Sequence, residues 1–167
     1  MFGALLLLAA SQAADPLAEA RAGKYQCVVP NEEKRTCLGT TSYKVTGNTY
    51  ESTTRIFLAP TPPITMELHT TGAAKDGKLC ETVRLTDFQG AIVLLNNAPA
   101  DEATSNAVKS QLTGAVAALD GKMACSTIKP AENGQLFNEV AIDGTVRPDL
   151  SQKFIWVKPE DGYTLGQ

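Results

Sequence analysis

Histidine and tryptophan each occur once in this sequence, and aromatic residues make up only 6% of its 167 positions. A single histidine, His69, cannot build a zinc centre of several imidazoles, and no second histidine is available for a Cys–His nucleophile. No C-x-x-C pair occurs, which argues against a thioredoxin-like redox motif and against a four-cysteine zinc site. The G-x-S-x-G elbow, the glycine-rich phosphate loops, the EF-hand spacing and the N-x-S/T glycosylation signal are all missing. The sequence therefore names no cofactor and no metal. Charge is also nearly balanced, with 15 Lys and Arg against 18 Asp and Glu for a net −3. With a pI near 5.2 there is no basic surplus of the kind nucleic-acid binding requires.

What is present fits one globular domain, because 43% of the residues are hydrophobic and 20% charged, far from the composition of a disordered chain. Phe2 to Ala10 is a short apolar run followed by Ser11-Gln12-Ala13, with small residues at −3 and −1 of a cleavage after Ala13. It reads as a signal peptide over residues 1–13, although the usual Lys or Arg at its start is lacking. At about 20 residues a membrane span would be longer, so no span is expected in the mature form. Residues 14–22 are small and polar and read as a flexible tether. Residues 23–167 then form the single domain.

Four cysteines, Cys27, Cys37, Cys80 and Cys125, are an even number in a chain expected to be exported, periplasmic or secreted, and imply two disulfides. Of the three connectivities, pairing of sequence neighbours is favoured, Cys27 with Cys37 and Cys80 with Cys125. The first pair brackets a short loop between two strand-like runs.

Thr36 to Thr46 and Thr49 to Ala59 alternate Thr, Tyr, Val and Ile on either side of Gly47-Asn48, a two-residue hairpin signal. That turn sets Val45 opposite Tyr50 and Lys44 opposite Glu51. Ile64, Met66 and Leu68 alternate with Thr65, Glu67 and His69, the pattern of a sheet with one wet face. Lys78 to Thr86 reads as a strand, Gln89 to Leu95 as a buried apolar run, and Asp143-Gly144 as a second hairpin. Pro99, Asp101 and Glu102 mark a helix start. Val108, Leu112, Ala115, Val116 and Leu119 then form its apolar stripe up to Gly121. Gly23-Lys24, Gly77-Lys78 and Gly121-Lys122 each lead into a Cys-bearing strand, recurrent turn chemistry rather than a duplication. The expected class is α+β, mostly β: an antiparallel sheet or partly closed barrel of about eight strands, one helix over about 100–119 packed against it, and Phe154 and Trp156 in the core.

The functional expectation is a non-catalytic exported binding protein that takes a small ligand or docks an envelope protein. If an interior pocket does the binding, Ile64, Met66, Leu68, Val83 and Leu85 are its expected lining. An alternative is an inhibitor of an envelope or extracellular hydrolase acting through Glu32, Glu33, Lys34 and Arg35, a charged loop braced by the Cys27–Cys37 bridge and so cheap to order on docking. A further alternative is a hydrolase built on two carboxylates that meet across a cleft. No pair among the acidic residues stands out in the sequence; Asp76, Asp120, Asp143 and Asp161 all precede glycine, as turns demand.

Overall fold

Alternation with a period of two dominates the chain, and the computed structural model, which describes residues 14–167, turns it into twelve strands. In chain order the elements are α1 (Ala18–Arg21), β1 (Tyr25–Asn31), β2 (Thr36–Thr46), β3 (Thr49–Pro60), β4 (Pro63–Lys75), β5 (Lys78–Thr82), α2 (Leu85–Gln89), β6 (Ile92–Leu95), β7 (Ala98–Pro99), α3 (Glu102–Val116), β8 (Met123–Pro130), β9 (Leu136–Ile142), β10 (Thr145–Val146), β11 (Gln152–Val157) and β12 (Thr164–Leu165). The expected signal peptide lies outside the described residues.

Eight strands pair antiparallel in the cyclic order β1-β2-β3-β4-β5-β8-β9-β11, and β11 returns to β1 with Cys27 opposite Ile155. The barrel is therefore closed, not partly closed, and sequential neighbours are spatial neighbours all the way round. Closure removes the unpaired sheet edges that would otherwise template association. The hairpin at Gly47-Asn48 forms in the register its turn predicts, Val45 opposite Tyr50 and Lys44 opposite Glu51. Asp143-Gly144 likewise joins β9 to the short β10.

β4 has 13 residues, and its two halves have different partners on the same edge. Gly72 to Lys75 pair with β5, while Ile64 to Glu67 pair with β6. Where β4 leaves the ring, α2 and α3 fill in: Phe88 and Leu112 pack with Met66, Leu68, Ala91 and Ile56. The α3 helix begins as the sequence predicts, Asp101 accepting from the Thr104 amide at 2.9 Å, a cap that satisfies one orphan N–H. It continues as a 3-10 turn to Leu119.

Its stripe is shallower than expected. Leu119 is buried, but Val108, Leu112 and Val116 are half-buried and Ala115 is exposed, because the helix leans on α2 and β6 instead of lying across the barrel wall. The apolar run at 89–95 divides for the same reason: Ala91 and Val93 are buried, while Ile92 is 46% exposed on the outer layer. β5 ends at Thr82, and Leu85 to Gln89 turn helical rather than extending the strand.

Both favoured disulfides form, with Cα separations of 5.2 Å for Cys27–Cys37 and 4.1 Å for Cys80–Cys125. The first is fully buried beneath Tyr25, Ile155, Val157 and Tyr163. Gly77 and Gly121, at φ of 74° and 76°, supply the left-handed turns ahead of the strands that carry the second pair.

Residues 14–22, read from the sequence as a tether, fold into α1 and dock. Leu17 has no exposed surface, and with Ala20 it packs on Tyr50, Leu79, Tyr43, Val45 and Trp156. Phe154 is 1% exposed and Trp156 half-buried. Asp15 pairs with Arg21, whose guanidinium also donates to the Gly47 carbonyl at 2.6 Å. The segment thus closes the barrel at the end where the β2–β3 hairpin turns.

Candidate functional site

An eight-stranded barrel leaves an interior that side chains either fill or leave open for one small ligand. Here it is left open: the interior holds a cavity of about 310 Å³, room for about ten waters at roughly 30 Å³ each. Apolar residues line its two ends. Tyr43, Tyr50 and Leu79 meet Leu17 at one, and Ile56 and Leu68 meet the helices at the other. Gln152 is the one exposed residue among the described lining residues.

Strand alternation decides what faces inward. From β3 the inward set is Tyr50, Ser52, Thr54 and Ile56, and from β2 it includes Thr41 and Tyr43, so both faces of these strands carry polar side chains. The inward ones pair among themselves. Thr41 and Thr54 hydroxyls lie 3.0 Å apart, and Tyr43 donates to Gln26 Oε1 at 3.1 Å. The Ser52 and Thr70 hydroxyls lie 2.7 Å apart, and Thr70 donates to Glu81 Oε2 at 2.8 Å.

Two side-chain atoms of the lining residues, Gln26 Nε2 and Asn138 Oδ1, are buried with no hydrogen-bond partner among the described residues, each at a cost of about 1 to 3 kcal/mol. Burial, with a weaker push from Asp87, raises the Glu81 carboxyl above the usual carboxylate range, against the lowering effects of the Thr70 hydrogen bond and Arg84. Burial also pushes the Tyr43 and Tyr50 hydroxyls upward, reinforced for both by Glu81 and for Tyr43 first by Tyr50. Both phenols are therefore neutral donors at physiological pH. Their rings meet edge to face, centroids 5.3 Å apart.

Gly72 makes this packing possible. A Cβ there would lie 2.4 Å from both Cζ and Oη of Tyr50 and 2.6 Å from the Cys80 carbonyl oxygen. Only glycine lets the Tyr50 ring cross β4 at that point.

Of the expected lining residues, Leu68 faces the cavity. Met66 is 1% exposed and lies in the cluster with Phe88 and Leu112. Ile64, Val83 and Leu85 are off the cavity wall, because the chain has left the ring at Val83 and the first half of β4 faces β6. Glu81, Tyr43, Tyr50, Gln26 and Asn138 do not stand out in the sequence, because both faces of β2 and β3 carry polar residues and alternation alone does not mark the inward one. Among the described residues Glu81 is also the only carboxylate on the wall, which leaves it without a second carboxylate there.

Glu32, Glu33, Lys34 and Arg35 form the exposed tip of the β1–β2 hairpin. The tip is tied to its own molecule: Gln135 donates to Glu32 Oε1 at 3.0 Å, the Thr164 amide to the Arg35 carbonyl at 3.0 Å, and β12 lies parallel to the start of β2.

His69 sits outside, 58% exposed, between Thr53 Oγ1 at 3.1 Å from Nδ1 and Glu67 Oε1 at 3.0 Å from Nε2. The order hydroxyl, imidazole, carboxylate is that of a nucleophilic triad. Its setting is not. The hydrogen bond and charge of Arg55, 2.7 Å from Glu67, hold that carboxyl below its ordinary range, with a smaller contribution from His69. Thr53 lies on a strand paired on both sides, whose ladders leave no free amides to form an oxyanion hole.

Comparison of the chain with known protein families, with curated proteins and with solved structures finds no match.

Proposed function

We propose that this protein is an exported, non-catalytic binding protein that holds a small polar molecule inside its barrel. The observation that carries the reading is the cavity of about 310 Å³ inside the barrel, with hydroxyl, amide and carboxyl side chains set among its apolar lining. A structural core of this size gains most by filling with apolar side chains at crystal-like density. This one instead keeps Gln26, Thr41, Ser52, Thr70, Glu81 and Asn138 facing a space. Convergent polar groups on an otherwise apolar, preformed wall are the usual make-up of a small-molecule site. The two disulfides support an oxidising compartment and stiffen the wall, which lowers the ordering cost of binding.

Native mass spectrometry of protein purified gently from its exporting cell tests the reading. The expected result is an added small mass that is lost on denaturation and is absent from Ser126→Phe, a variant that fills the cavity and retains the wild-type circular dichroism. A co-purifying polypeptide lost on changing Glu32 to Arg35, with an empty barrel, would replace this reading with the inhibitor one. Turnover of ester, glycoside or peptide substrates by the purified protein would overturn the non-catalytic assignment.

A further inference from the structure

The charges around the cavity select its occupant. Among the described residues no Lys, Arg or His lines it, and Glu81 is its only carboxyl. Among the described residues Glu81 makes no ion pair. Its hydrogen-bond donor is the Thr70 hydroxyl, and the nearby Arg84 pairs with Asp87 at 3.8 Å. A carboxyl so placed, with no ion pair of its own and Arg84 shared with Asp87, is costly to ionise and favours a cation beside it. Three aromatic residues, Tyr43, Tyr50 and Phe154, line the same space, and aromatic π faces attract cations most strongly where water is excluded. An anion in the cavity would meet the Glu81 carboxylate with no positive side chain among the described lining residues to offset it.

The geometry points to a small organic cation, an ammonium or amidinium compound, as the ligand class of the barrel, with Glu81 as its counter-charge and Tyr43 and Tyr50 beside it. This rests on the reading of the cavity as a small-molecule site and narrows it. A metal ion fits less well, since Glu81 stands alone and no group of three His, Cys, Asp or Glu side chains converges among the described residues.

Three probes of matched shape and different charge decide it: benzylamine, benzyl alcohol and benzoate, titrated calorimetrically into the purified protein at neutral pH. A cavity of about 150 Å³ already accepts a benzene ring, so size admits all three. Benzylamine should bind about tenfold or more tighter than benzyl alcohol, and benzoate should give no heat of binding. In Glu81→Gln the advantage of benzylamine should collapse to within about twofold while benzyl alcohol binding persists. The ranking on the wild-type protein decides the matter even if that variant does not fold. Benzyl alcohol or benzoate binding as well as benzylamine would overturn the cation assignment and leave the cavity reading standing. Failure of all three to bind would overturn both.

Discussion

Replacing Gly72 by alanine tests whether the wall of the barrel is built as described. The added Cβ would sit 2.4 Å from the Tyr50 ring and 2.6 Å from the Cys80 carbonyl, both well inside contact distance. Tyr50 cannot swing away freely, since it is 5% exposed and wedged among Leu17, Leu79 and Tyr43. Nor can Cys80 retreat, because its strand is paired to β4 and bridged to β8 by the Cys80–Cys125 disulfide. Overpacking of this kind costs about 1 to 3 kcal/mol, while the lost freedom of glycine in the unfolded chain returns about 0.4 to 1 kcal/mol. The collision with immobile backbone places the net cost near the upper end, about 2 kcal/mol. For a domain of this size that lowers Tm by about 4 to 8 °C. Thermal and urea unfolding followed by circular dichroism, with the disulfides intact, measure it. A double-mutant cycle with Tyr50→Leu should show coupling of about 1 kcal/mol, because the smaller side chain relieves one collision and leaves the carbonyl one. Gly72→Ala with wild-type Tm and zero coupling would show that Tyr50 does not cross β4 there.

Leu17→Ala should cost about 2 to 4 kcal/mol in the same assay, the transfer and cavity terms of a fully buried leucine; a change below about 0.5 kcal/mol would make residues 14–22 a free tether after all. Converting Cys80 and Cys125 together to serine should remove about 4 kcal/mol, against about 3 kcal/mol for the shorter Cys27–Cys37 ring, if chain entropy governs both; the reverse order in denaturant titrations would assign the larger role to the buried bridge. The Glu81 carboxyl is raised in the folded state, so the native protein holds its proton more tightly and loses stability as pH rises from the ordinary carboxylate range through the folded-state value. Glu81→Gln should therefore be more stable than wild type at neutral pH, with the gap closing toward acid; a pH-independent gap would refute buried ionisation as its cause. Lys44→Ala should change stability by less than about 0.5 kcal/mol, since its pair with Glu51 spans 3.4 Å between side chains 79% and 66% exposed.

Local chemistry made parts of this fold legible. Gly47-Asn48 fixed a register over the whole β2–β3 hairpin, and Asp101 with Glu102 located the start of α3, because turns and caps are set by residues a few positions apart. Barrel closure had no such signal: Cys27 meets Ile155 through the combined twist and stagger of eight strands, which no single window carries. The cavity was hidden for another reason. Period-two alternation marks an interior only when one face is apolar, and β3 carries Tyr50, Ser52 and Thr54 inward against Glu51, Thr53 and Arg55 outward. Glu81 followed by Thr82 in β5 looks like any wet strand. The stripe on α3 was visible, but its depth depends on β6 and α2 beneath it, whose arrangement follows from the divided pairing of β4.

The seam of the ring joins its first strand to its last. During synthesis the N-terminal end emerges first, and β1 must wait for β11, the final long strand, before its second edge is covered. Until then it exposes a row of free amides and carbonyls, the kind of edge that recruits other chains. The Cys27–Cys37 bridge needs only the first hairpin and can form early, fixing β1 against β2 while the rest of the barrel is still unmade. Its placement on those two strands makes it a guard of the unfinished barrel as well as a brace of the finished one.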